Sequence, residues 1–360
     1  RRRPTGTSRR MASRRTARHL RLDRVSGPCQ QGPCSAGRET TPLRSGGATA
    51  HGSCTGRRAA IKRVVSISLG SSTRDFRVEA EFLGQTVLVE RIGCDGDLRR
   101  FSGMFTELDG KADALGIGGA DLYVWASGRR YMFRDVARAV AGARTTPVLD
   151  GSGLKNSIER ETVRWLQRQG LVDFPRARTL LVSTVDRFGL GEELSAMGGP
   201  VLFGDVMFCL HIPIPIRRLK TLQITARLLL PVITQMPFRW LYPTGSSQER
   251  IEPRFTRHYQ WADVIAGDFH YIKRHMPDRL EGKTILTNTI RESDVALLRE
   301  RGARRLITST PEISGRSPGT NVFEALIVAL SGGRPDELSQ DDYMAHVRQM
   351  GWQPRVVELQ

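Results

Sequence analysis

The sequence predicts an α/β protein: a Rossmann-like, doubly wound parallel sheet preceded by a smaller mixed α/β domain. Between residues 178 and 330, short runs with no polar face (RTLLVST, PVLFGD, ADVIAGD, KTILTNT, RRLITSTP) alternate with segments of helical period. Strands of that kind need helices on both sides, which is the condition of a parallel sheet. Each run also ends on small or polar residues, such as Ser183-Thr184, Gly204-Asp205 and Ser309-Thr310. Such sheets bind ligands at the carboxyl ends of their strands, so these residues are candidate contacts.

The elements follow in order. Residues 1–60 carry 14 Lys or Arg against Asp23 and Glu39, or +12 of the chain's +18, and show no apolar periodicity. They are expected not to fold. Three readings fit them: an inert over-extended start, a targeting leader and a nucleic-acid arm, of which the first is preferred. With +6 left for the other 300 residues, nucleic acid is not an expected partner. Of five cysteines, Cys29, Cys34 and Cys54 fall in this tail and only Cys94 and Cys209 in the body. That excludes a disulfide framework and suggests a reducing, cytoplasmic setting; no metal site is expected.

Residues 61–170 form the expected first domain. RVVSISLG, DFRVEAEFLG and QTVLVERIG read as a β-meander, followed by a helix over 97–108 with Leu98, Phe101, Phe105 and Leu108 on one face. A strand (ADALGIGGA) and a hairpin turning at Ser127-Gly128 come next, then a helix over 134–143 and the short strand TPVLDG. SGLKNSIERETVRWLQRQG is a helix bridging to the next unit. The glycines at 116, 118 and 119 precede strand and hairpin character, so they indicate a tight turn with close packing and not a dinucleotide loop. Gly70-Ser71-Ser72-Thr73 resembles a kinase phosphate loop but lacks evident acidic partners for a metal.

Residues 171–335 form the expected nucleotide-binding domain, with an apolar helical insert at 211–245 and a C-terminal helix and tail at 336–360. The insert is interrupted by Lys220, Arg227, Pro231, Pro237 and Arg239. It is expected to cover a dimer face or the cleft and not to enter a membrane, which makes a homo-oligomer the expected state. Arg217 and Arg239 are candidates for holding a substrate carboxylate.

Thr184, Asp186, Arg187, Gly189 and Gly191 form the turn into a helix where backbone N–H groups favour phosphate. Asp205 lies 16 residues after Gly189, where a carboxylate would accept from a ribose diol, favouring NAD over NADP. Asn288, Thr289, Thr310 and Pro311 complete the polar edge. For proton transfer the candidates are Lys155 with Asp150 at the domain junction, and His270 after Asp268, with Asp121 as a competitor.

The strings RVVSISLGSSTRDFRVE, DGSGLKN and GKTILTNTIRESDVALLRERGARRLITSTPEISGRSPGTNVFEA resemble a bacterial family known as quinate 5-dehydrogenases, over residues 61–360. The resemblance implies an NAD(P)-dependent dehydrogenase, quinate- or shikimate-type, that oxidises an alicyclic or small hydroxy acid by hydride transfer. The sequence departs from that pattern at VDRFGLG and FGD, where a Gly-Ala-Gly-Gly loop and an Asn-Arg-Thr segment are usual, and around Lys155. A non-redox protein that binds a nucleotide or small acid on the same sheet is the alternative.

Overall fold

The computed structural model describes residues 61–237, 250–288, 290–310 and 319–360. The basic tail with its three cysteines, Arg239, Thr289 and Pro311 lie outside the described residues, as does the end of the insert beyond residue 237.

Strands β1 (Lys62–Ser68), β2 (Phe76–Phe82), β3 (Gln85–Gly93), β4 (Ala114–Gly118) and β7 (Val148–Leu149) form the first sheet, in the order β2-β3-β1-β4-β7. A hairpin of β5 (Tyr123–Ala126) and β6 (Arg129–Met132) stands apart from it, with Ser127 and Gly128 both at positive φ in its turn. The expected meander is corrected here, because β1 pairs with β3 in parallel and only β2 is antiparallel. Burial gives the reason. β1 is buried along both faces and suits the sheet centre, whereas β2 alternates half-buried with exposed residues, as an edge strand does.

Val65, Ile67, Leu115 and Ile117 face α1 (Leu98–Leu108) and α2 (Arg134–Val140), with Phe101 and Phe105 between them. Asp97 caps α1 by accepting from the Arg99 and Arg100 N–H groups. On the opposite face, Val64, Val87, Val89 and Leu149 pack against α3 (Ser152–Arg168) and α10 (Thr320–Ser331).

The second sheet has β8 (Thr179–Leu181), β9 (Val201–Phe203), β10 (Val264–Ala266), β11 (Thr284–Thr287), β12 (Arg305–Thr308) and β13 (Arg355–Glu358), in the order β13-β12-β11-β10-β8-β9. All pairings are parallel except that of β13 with β12. The doubly wound parallel sheet is therefore present as predicted. Its helices are α4 (Phe188–Ala196), α5 (Asp205–Phe208), α6 (Leu219–Ile233), α7 (Thr256–Trp261), α8 (Phe269–His275) and α9 (Glu292–Glu300).

Two placements differ from the sequence reading. The end of the chain is an antiparallel edge strand, β13, and not a tail. Helix α10 leaves β12 but packs on the first sheet, followed by α11 (Gln340–Gln349), which lies against α3. The unbroken buried run from Val322 to Ala329 explains this: α10 is enclosed on all sides, between the first sheet and its neighbouring helices. The chain thus crosses between the lobes three times, at α3, before α10 and before β13.

Candidate functional site

Strand order reverses in each sheet at one point, between β1 and β4 in the first and between β8 and β10 in the second. A crevice opens at the carboxyl ends of the strands at such points. Here the two crevices are joined, because α3 runs from one lobe to the other and brings both sets of strand ends to a single cluster of charged side chains.

From the first lobe comes Asp121, just beyond β4. Close packing makes that position reachable: a Cβ on Gly118 would sit 2.7 Å from the Ser68 Cβ, and Gly119 turns the chain at φ +74°. The glycine cluster is thus a tight turn in close contact with β1. Asp150 ends β7 and accepts from the backbone N–H groups of Leu122 (2.8 Å), Tyr123 (2.7 Å) and Ser152 (2.9 Å). It clasps the β4 loop to the start of α3, and those hydrogen bonds occupy both of its oxygens. Lys155, one turn into α3, donates to Asp121 at 2.6 Å. Burial works against the Lys155 charge, but Asp121 and Asp186 outweigh it and raise the pKa above that of a free lysine. Lys155 therefore stays an ammonium at neutral pH and cannot accept a proton.

From the second lobe come the ends of β8, β9 and β10. Ser183 donates to Asp186 at 2.7 Å. Arg187 is 2% exposed and bonded to Glu159 of α3, with Asp186 at 3.3 Å and Asp268 at 3.2 Å. Burial opposes its charge, yet these carboxylates hold it protonated. Burial pushes Glu159 up to about 7 despite Arg187, and Asp186 adds to the shift. Asp268 caps α8 by accepting from the His270 N–H at 2.8 Å. Burial acts to raise its pKa, but His270 and Arg187 bring it below the ordinary carboxylate value. His270 faces Arg74 of the first lobe at 3.5 Å; burial and that guanidinium lower its pKa against the pull of Asp268.

The predicted phosphate turn is built for packing. The N–H groups of Thr184 and Val185 donate to Asp205 Oδ1 at 2.7 and 2.9 Å, so the carboxylate expected at a ribose is turned to its own lobe's backbone. Gly189 and Gly191 lie inside α4, where a Cβ would come within 2.0 Å of Asn156 Oδ1 and 2.5 Å of Thr184 Cγ2. Their lack of a side chain lets α4 close on α3 and β8. The loop at Gly70 is likewise engaged internally, since the Ser72 N–H donates to Asp95 at 2.7 Å.

Asn288 and Thr310 lie at the ends of β11 and β12, buried and joined by a 2.7 Å bond from Thr310 Oγ1 to the Asn288 carbonyl. They are further along the sheet edge than the Lys155–Arg187 cluster. Arg217 sits in the insert, before α6. Sequence reasoning missed Glu159 and Glu324. Glu324 accepts from the Gly153 N–H at 3.1 Å, and burial with Asp150 nearby pushes it up to about 8. Its signal was present, as it is the single charge in TNVFEALIVAL.

Asp121, Asp186 and Asp268 keep 17%, 17% and 25% of their side-chain surface, so the cluster opens to solvent. Behind it lies a cavity of about 10 Å³ lined by Glu159, Thr162, Arg187, Gly267, Thr287 and Ser309. That is room for about one water molecule. A separate hollow of about 310 Å³ between α1 and α2 is lined mainly by apolar side chains, including Leu69, Leu98 and Phe101. Among the described residues, no cluster could hold a metal ion and no helix is long and apolar enough to cross a membrane.

A family model described as a domain of unknown function (DUF8754) matches residues 153–359, and another (DUF8753) matches residues 63–150. No curated protein matches the chain. Among solved structures, the periplasmic ribose ABC transporter from Conexibacter woesei DSM 14684 is similar at 9% identity and TM-score 0.38, over 84% of this chain and 94% of that one. A glucose-galactose binding protein from Geobacillus stearothermophilus is similar at 8% identity and TM-score 0.35, over 83% and 98%. An NAD-dependent malic enzyme from Thermotoga maritima is similar at 12% identity and TM-score 0.32, over 81% and 83%. The likeness concerns the fold alone.

The geometry of the site corrects the expectation of a quinate- or shikimate-type NAD(P)-dependent dehydrogenase. The physical reason is that Lys155 is held protonated, Asp150 already accepts from three backbone N–H groups, and the N–H groups beside the first turn are bonded to Asp205.

Proposed function

The chain belongs to the family described as a domain of unknown function (DUF8754), a description that names no chemistry, and from the geometry we propose that the protein binds a small polar molecule between its two lobes. One observation carries this reading. The switch points of two parallel sheets meet at one solvent-reaching cluster, in which Lys155 of α3 pairs with Asp121 of the first lobe, and Arg187 of the second lobe pairs with Asp186, Asp268 and Glu159 of α3. Convergent polar groups at such a crevice are the usual architecture of a small-molecule site. Charged groups paired on either side of a cleft can exchange those bonds for bonds to a ligand, and a ligand touching both lobes then holds them together.

The test is thermal unfolding of the full chain against a panel of small metabolites. A ligand present at a hundred times its Kd stabilises the folded state by about 2.7 kcal/mol. A stabilising compound should lose its effect in Asp268→Ala, at the mouth of the cleft. Stabilisation that survives this change and Asp186→Asn would place the binding elsewhere and refute the reading.

A further inference from the structure

Helix α6 is apolar on two opposite faces. Leu222, Ala226 and Leu230, spaced four residues apart, are buried in the hydrophobic core. Ile224, Leu228 and Val232 repeat that spacing about half a turn away and are 53%, 69% and 65% exposed. Leu210, Ile212 and Ile214, in the segment that leads into the helix, are exposed as well. A helix that is apolar all round is ordinarily enclosed on all sides. Here one stripe is covered and the opposite one is open.

The charge of this surface limits what can cover it. Arg217, Arg218, Lys220 and Arg227 are exposed on the same segment, and no Asp or Glu lies between Asp205 and Glu249. Lys220 and Arg227, two turns apart, run along one flank of the open stripe. A second copy docked on this face about a two-fold axis would set those cations against themselves, with no acid in the segment to pair them. Nucleic acid would use the cations and leave the apolar stripe in water. Against α6, the β5–β6 hairpin repeats the same composition, with Trp125 and Met132 exposed beside exposed Arg129 and Arg130.

We propose that α6 and the segment before it form a docking surface for an anionic lipid bilayer. The helix lies in the plane of the headgroups, its open stripe at the acyl boundary and its cations on the lipid phosphates. Vesicle co-sedimentation of the full chain tests this. Vesicles of phosphatidylcholine mixed with phosphatidylglycerol should bind the chain at least tenfold more tightly than phosphatidylcholine alone. Leu228→Asp with Val232→Asp should weaken that binding at least tenfold, as should Lys220→Gln with Arg227→Gln. All four side chains are exposed, so neither pair should move the unfolding midpoint. The basic tail adds the same attraction in every variant, so the ratio between variants reports α6.

Absence of vesicle binding, or binding that neither pair of substitutions weakens, would overturn the proposal. Binding weakened only by the loss of charge would mean a polyanion site without insertion and would overturn it too. So would a chain that sediments as a dimer and becomes monomeric in the Leu228→Asp, Val232→Asp variant, since a second copy would then cover the stripe.

Discussion

Replacing Glu324 with Gln should flatten the dependence of stability on pH. Glu324 is 3% exposed within α10, its Oε1 accepts from Gly153, and the Tyr343 hydroxyl lies beside its carboxyl group. Burial first, and then Asp150, raise its pKa from an ordinary 4.5 to about 8. The folded protein therefore holds a proton that the unfolded chain releases above about pH 4.5. Between those two values the folded state binds more protons than the unfolded one, so stability must fall as pH rises, and it levels off above about pH 8. Each pH unit in that window costs at most about 1.4 kcal/mol, which makes the ceiling about 3 kcal/mol at pH 7.

Glutamine keeps the acceptor for Gly153 and carries no ionisable proton. Urea unfolding of parent and Glu324→Gln at pH 5, 6, 7 and 8 should give curves that lie close at pH 5 and diverge in favour of the variant towards pH 8. Some slope should remain in the variant, because Glu159, raised to about 7, titrates in the same direction. Parallel curves, or a variant that loses stability faster than the parent as pH rises, would refute the assignment of a protonated Glu324.

Two further substitutions test the construction of the site. Arg187→Met removes the cation bonded to buried Glu159 and should cost about 3–5 kcal/mol in chemical denaturation, whereas adding Glu159→Met should recover most of that loss. Gly118→Ala places a Cβ 2.7 Å from that of Ser68 and should destabilise by about 1–3 kcal/mol, seen as a lower unfolding midpoint; an unchanged midpoint would mean that β1 and β4 can separate freely.

The parallel sheet was legible because its strands are apolar on both faces and each is followed by a helical period. The partner of each strand was not. RVVSISLG and QTVLVERIG are adjacent along the chain with a strand between them, which suggests a meander, and only the burial of both faces of β1 distinguishes the parallel pairing. The polar strand ends were also legible as a group, and Lys155, Asp186 and Arg187 do converge with Asp121 and Asp268. The direction of each bond was hidden. Asp205 stands at a strand end as expected, but nothing local shows that its oxygen turns back to Thr184 and Val185. Glu159 sits in SIERETVR among other charges, so periodicity could not mark it as a buried partner of Arg187.

The placement of α10 has a consequence for how the chain acquires its fold. Val64, Val87 and Val89 of the first sheet are covered by residues 320–331, which are separated from them by more than 230 positions. As the chain emerges in order, the part of that face that α10 covers stays open through the synthesis of the whole second lobe. Closing so long a loop is slow, and the exposed apolar strands are meanwhile open to wrong partners. Truncation anywhere between β12 and α10 should therefore damage the lobe farthest from the cut in sequence, by removing the α10 side of its core.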